Sequence, residues 1–249
     1  MYSVFSQLCC RSHGAGLALK RITFIKFIFD MRGFWADERV DGEIWPANGL
    51  LFFIAKGFER RFLQRADHVV SLTHAAVEVM LTTDFYKGKM PTVTVIPTCV
   101  DLNRFIPQPR VYKQDRFVLG YLGTVGTWYM FDEVVACFRQ LLRLLSEAQF
   151  LILNRGEHAF IMGRLLEGEV PLAQVELITT SHAEAPNQIA RMDAGVFFIK
   201  PTFSKQASAP TKLAEFLACG IPCLGNAGVG DVGNLLVKEG VGVSLSSFD

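Results

Sequence analysis

Lys212 and Glu215 are the only charged side chains in the stretch SAPTKLAEFLACGIPC, residues 208–223. The pattern predicts a helix opening at Pro210, a residue suited to the first turn, with Ala209 as a poor N-cap. Uncapped amides at a helix start suit an anion. A cation in the first turn opposes the helix dipole unless a bound phosphate reverses the sign. Glu215, one turn on, can accept from two neighbouring hydroxyls such as a ribose diol. The plainer alternative is a solvated i,i+3 ion pair. A second stretch, LGTVGTW (122–128), places Gly123 and Gly126 in a strand-to-helix turn, with Thr124 and Thr127 as hydroxyl donors. Glycines there let backbone amides approach an oxyanion; the alternative is an ordinary tight turn. The turn lacks the GxGxxG dinucleotide spacing, which argues against a nicotinamide enzyme.

Arg32 directly follows a strand, with Gly33, Asp37 and Glu38 beside it. It suits an acceptor or catalytic role, or a structural pair with Asp30. Arg155 and the His182–Glu184 pair follow later strands. His182 suits acid–base work or loop hydrogen bonding. Lys56, Arg60 and Arg61 form a basic helix face that suits anionic lipid; Glu59 dilutes it, and the favoured reading is an ordinary solvated face. No Asp-x-Asp occurs, so no metal site is expected, and no Gly-x-Ser-x-Gly elbow or Walker loop is present.

These residues sit in loops between alternating strands and helices. ITFIKFIFD (22–30), DHVVSLT (67–73) and TVTVIP (92–97) read as strands, with helices over 46–66 and 74–83. In the first helix Leu51, Ile54, Phe58 and Phe62 form the apolar stripe. The proline-rich CVDLNRFIPQPR reads as a hinge. Beyond it, strands at 116–123, 149–154, 175–180, 194–200 and 221–226 alternate with helices at 131–146, 157–167 and from 210. The expectation is an α/β chain of two Rossmann-like domains with parallel sheets, 1–110 and 111–249. Ligands of such sheets sit at the carboxyl ends of the strands, where the candidate residues lie.

The 249 residues are 50% hydrophobic and 20% charged, as expected of a core-rich globular chain. The formal net charge of +1 gives no general attraction for nucleic acid. Six scattered cysteines, with no CxxC, read as buried thiols of a reducing compartment. The apolar runs near 15–31 and 49–63 are broken by charges before the roughly 18 residues of a membrane span. No basic region precedes a clean apolar core at the N-terminus, so a secretory signal is not expected.

VIPTCVDLNRF (95–105), GYLGTVGTWY, APTKLAEFLACGIPCLGN and FDMRGFWADERVDGEIW resemble, in order over about residues 20–235, segments of the retaining glycosyltransferases of family 4, which have the GT-B fold. The last segment resembles a bacterial branch that builds surface polysaccharides. The resemblance implies a nucleotide-diphosphate sugar donor held by Gly123, Thr124, Gly126, Thr127, Arg155, Ser208, Thr211, Lys212 and Glu215. Glu215 would hold the ribose and Lys212 the diphosphate. Arg32 and His13 would be catalytic, His13 through CCRSHGAG. No cofactor or metal is implied. The partners would be the donor and a glycan or lipid-linked acceptor, in the cytoplasm or at the inner face of the membrane. Ala207 stands where relatives carry a glutamate, eight positions before Glu215, and their Arg and Lys pair is not evident. The early units of the first domain and the closing helices look missing, as in a truncated product. A GT-B nucleotide-sugar epimerase and a nucleotide-binding chain without turnover are the competing expectations.

Overall fold

Strands that alternate buried and half-buried residues and strands that are apolar throughout occupy different sheets of the computed structural model. It describes residues 16–17, 20, 25–84, 91–108 and 116–248. His13 lies outside these. The chain divides into two compact units. Unit 1 comprises Met1–Pro97, Pro201–Ala209 and Gly228–Asp231, and unit 2 the remainder.

In unit 1, β1 (Ile28–Met31), β2 (His68–Ser71) and β3 (Thr92–Val95) pair in that order, all parallel. β1 and β2 bury every second residue, as strands covered on one face do. Their inner face meets α1 (Trp35–Asp41), α2 (Leu50–Arg65) and α3 (His74–Thr82) through Phe29, Met31, Phe34, Phe62, Leu63, Val69, Ala76 and Met80. Ala207 joins this core from far along the chain. Its neighbours are anchored too. Lys205 donates to Glu38 at 2.7 Å, the Ser204 amide to Asp41 at 2.8 Å, and Thr73 Oγ1 to the Gln206 carbonyl at 2.7 Å. The Asp231 carboxylate takes the His74 and Ala75 amides at the start of α3.

Unit 2 carries six parallel strands in the order β6-β5-β4-β7-β8-β9. They are β4 (Val118–Leu122), β5 (Gln149–Leu153), β6 (Val175–Ile178), β7 (Ala194–Val196), β8 (Cys223–Asn226) and β9 (Gly242–Leu245). Helices α4 (Phe131–Leu144), α5 (His158–Glu167), α6 (Ala185–Ile189), α7 (Thr211–Ala218) and α8 (Val232–Lys238) connect them. β4 and β5 are covered on both faces, which is why VLGYL and QFLIL read as unbroken apolar runs. Two glycines permit close packing on the central strands. A Cβ on Gly120 would come within 1.9 Å of Met192 Sδ, and one on Gly195 within 2.7 Å of the Phe216 ring in α7.

Several expectations change. The loop expected over 31–45 contains α1, whose first turn carries Asp37 and Glu38 in the sense the dipole favours. The helix expected from 46 starts at Leu50, after a turn closed by the Gly49 amide on the Pro46 carbonyl. Its expected stripe points outward in part, since Leu51, Ile54 and Phe58 are exposed and only Phe62 is buried. The buried side holds Lys56 and Glu59 instead, paired at 2.6 Å, with Asp37 2.8 Å from Lys56. Ion pairing neutralises them, so burial is tolerated and Lys56 does not join an exposed basic face. The strand expected over 194–200 ends at Val196, although Phe197, Phe198 and Ile199 stay buried. The Asn226 side chain brackets Ile199 there, accepting from its amide and donating to its carbonyl, both at 2.9 Å.

Candidate functional site

β4 and β7 are neighbours in the sheet, but their connections run in opposite directions, β4 to β5 and β7 to β8. This is the topological switch point, where an open parallel sheet leaves a crevice at the carboxyl ends of its strands. The turn after β4 forms one wall. Gly123 has φ +99°, a conformation open to glycine, and its amide donates to the Leu153 carbonyl at 2.9 Å. The buried Tyr121 hydroxyl donates to the Thr124 carbonyl at 2.6 Å. Thr127 also lies in the left-handed region, at φ +50°.

The other wall is the first turn of α7. The helix begins at Thr211, one residue later than expected, so Pro210 rather than Ala209 is the N-cap. Proline's ring fixes φ at −66°, ψ is extended at 123°, and no side chain caps the end. Lys212 reaches from this turn to Gly123. Its Nζ lies 3.5 Å from the point a Cβ on Gly123 would occupy. The side chain is buried, and its ammonium has no hydrogen-bond partner. It rests 3.7 Å from the centroid of the Tyr129 ring and 4.7 Å from that of Tyr121. Ring faces attract a cation but do not replace an acceptor. Burial therefore pulls its pKa down to about 7, against the opposing fields of Glu215 and Glu157. Burial also raises the Tyr121 and Tyr129 hydroxyls.

Glu215 is buried on the same helix, yet it does not pair with Lys212. Its Oε1 lies 3.2 Å from His182 Nε2. The other imidazole nitrogen is 3.1 Å from Arg104 Nη1, and the ring packs on Phe105. The solvated i,i+3 pair is thus not formed. Nor does His182 pair with Glu184, whose carboxylate accepts from the Ser181 amide and hydroxyl and is held below its usual range by them. Burial pushes the Cys219 thiol up to about 11, with a further push from Glu215, and Cys223 up to about 12. Neither is a thiolate nucleophile near neutral pH.

Between the walls lies a motif the sequence reading missed. Buried Asn154 accepts the Gly156 and Glu157 amides and donates to the Gly123 carbonyl and to Glu157 Oε2. Glu157 Oε2 also takes the Val125 amide of the turn at 3.1 Å. Only contact across two loops reveals this; spacing in sequence carries no such signal. Tyr121 and Tyr129 read in sequence as strand and loop residues, so their place under Lys212 was likewise hidden.

Thr124, Thr127 and Thr211 are exposed, and Gly126 is half-buried beside Glu157. Arg155 is exposed and donates to the Thr180 carbonyl at 3.3 Å. Ser208 belongs to unit 1, where its amide donates to the Lys205 carbonyl. Arg32, also in unit 1, is exposed and paired with Asp30 at 3.2 Å. A hollow of about 450 Å³ in unit 1 is lined by Leu17, Lys20, Arg65 and Asp67. Asp67 directly precedes β2, so this hollow lies at the amino ends of the strands, the wrong edge for a ligand site. Among the described residues, no group of three His, Cys, Asp or Glu side chains could hold a metal ion.

No protein-family model matches the sequence, and no protein of curated function matches it. Solved structures do match. Sucrose-phosphate synthase from Thermosynechococcus elongatus superposes with a TM-score of 0.71 over 96% of this chain and 59% of its own, at 16% identity. A glycosyltransferase from Rickettsia africae gives 0.66 over 98% and 62%, at 12% identity. The fold is that of the GT-B glycosyltransferases. WaaG, a glycosyltransferase involved in lipopolysaccharide biosynthesis, gives 0.61 over 98% of this chain and 71% of its own, at 14% identity. The chain thus spans about 59% of the synthase's length.

Proposed function

We propose that this chain binds a nucleotide-diphosphate sugar at the switch point of unit 2 and serves sugar transfer to a glycan or lipid-linked acceptor, with retention and without a metal. One observation carries the reading: a buried ammonium without an acceptor, set against a glycine turn whose φ of +99° favours glycine. An unpartnered buried cation has a cost that an incoming anion removes. The uncapped start of α7 and the cation act on the same ligand. When the sugar–phosphate bond breaks, charge grows on the departing diphosphate, and donors already in place stabilise it without reorganisation. The sugar passes through an oxocarbenium-like state. Glu215, released from His182, accepts from the ribose hydroxyls. Arg32 and His13 are proposed for the acceptor side. Solved structures similar to this chain include a pneumococcal O-GlcNAc transferase in complex with UDP and GlcNAc, matched at a TM-score of 0.54 over 72% of this chain and 34% of its own, at 16% identity.

The test is a thermal-shift and calorimetric screen of uridine, guanosine and adenosine diphosphate sugars. One base should stabilise the wild type. Glu215→Gln should weaken binding of that nucleotide about tenfold, while leaving its 2′,3′-dideoxy analogue unaffected. Failure of every nucleotide to bind refutes the reading. Sugar turnover measured with and without acceptor separates transfer from epimerisation.

We also infer that α2 contacts an anionic membrane surface. Leu50, Leu51, Phe53, Ile54 and Phe58 are 41–75% exposed on it, and the exposed ionisable residues of the helix, Arg60, Arg61 and Arg65, are all cationic. No helix among the described residues is long and apolar enough to cross a membrane.

A further inference from the structure

The glycine turn holds an anion of the protein's own. Glu157 Oε2 accepts from the Val125 amide at 3.1 Å and from Asn154 Nδ2 at 2.9 Å. Its Oε1 lies 3.4 Å from where a Cβ on Gly126 would sit. A donor bound through the turn amides meets this carboxylate first. Asn154 makes the arrangement specific, because the amide nitrogen that holds Glu157 also holds the Gly123 carbonyl, at 3.0 Å. Turn and carboxylate are therefore fixed together. The surrounding charges sharpen the point. Among the described residues Lys212 from α7 is the one cation buried there, while Glu157 from the start of α5 and Glu215 from α7 both act on it. Tyr121 and Tyr129 face it from β4 and the turn, and His182 pairs with Glu215. Glu215 has His182 and, behind it, Arg104, so Glu157 is the carboxylate at the turn that an arriving phosphate meets.

We propose that Glu157 is an internal competitor of the diphosphate, holding the Val125 amide in the empty site and yielding it when the donor binds. This rests on the nucleotide-sugar reading and deepens it. A carboxylate that returns to the turn hastens departure of the spent nucleoside diphosphate, a step that often limits turnover. The idea runs against the usual expectation that deleting a polar residue of a binding site weakens binding.

The experiment is calorimetric titration of uridine, guanosine and adenosine diphosphates into the wild type and Glu157→Gln. Glutamine keeps the shape and an acceptor oxygen but loses the charge. Binding about ten times tighter in the variant is expected, the scale of one like charge removed from a partly buried site. Binding by the variant alone also supports the proposal. Equal or weaker binding in the variant, with a wild type that binds, overturns it and leaves the nucleotide reading standing. No binding by either chain overturns both. Should the variant fold poorly, the wild type suffices. The Val125 amide proton resonance should shift when nucleoside diphosphate saturates the wild-type site, because the Glu157 carboxylate leaves it. A resonance that stays in place as the site fills overturns the proposal.

Discussion

An ammonium with no acceptor destabilises the fold that buries it, and Lys212 makes that cost measurable. Its pKa is about 7 in the folded chain against 10.5 ordinarily. Below pH 7 both states carry the charge, and the folded state bears the whole burial cost. Between about 7 and 10.5 the folded chain sheds a proton that the unfolded chain keeps, so stability rises with pH. Lys212→Met removes the titration. Denaturant unfolding from pH 6.5 to 9 should show the wild type gaining on the variant by on the order of 2–3 kcal/mol. Parallel curves would mean that the ammonium is hydrated. Below pH 7 the variant should be the more stable protein, yet bind no nucleoside diphosphate.

Helix α7 can hold Lys212 at the turn only because β7 lets it approach, and Gly195 is the point of approach. A methyl there meets the Phe216 ring at 2.7 Å. Phe216 is fully buried, so the helix must move outward. Gly195→Ala should cost about 1–3 kcal/mol of stability by overpacking. It should also weaken nucleotide binding, whereas a remote core change of equal cost would not. Stability unchanged in denaturant unfolding would mean that α7 yields without strain. The parallel strands, the glycine turn and the Lys212–Glu215 helix were legible in sequence, because apolar runs, Gly and Pro act locally. The facing of α2 was not. Its apolar positions have helical spacing, but an ion pair of Lys56 with Asp37 and Glu59 decides which side turns inward. The Glu157–Val125 bond was equally hidden, since it joins residues 32 positions apart.

At the scale of the whole chain, charge is nearly balanced at +1, so no general attraction to anionic surfaces exists. Vesicle binding must then come from α2. Flotation with phosphatidylglycerol vesicles should recover the protein, phosphatidylcholine vesicles should not, and Phe53→Asp should abolish recovery. Binding that survives this substitution would assign the contact elsewhere; concentration-dependent dimerisation lost in the same variant would assign the face to a second copy. The three tryptophans divide between the units as well. Trp35 and Trp45 meet edge to face in unit 1 with centroids 5.1 Å apart, while Trp128 lies in unit 2 beside the glycine turn. Each unit thus carries its own optical signature. The indole pair gives an exciton couplet in circular dichroism and Trp128 an emission next to the ligand crevice, so melting of one half and occupancy of the other can be followed in a single unlabelled sample.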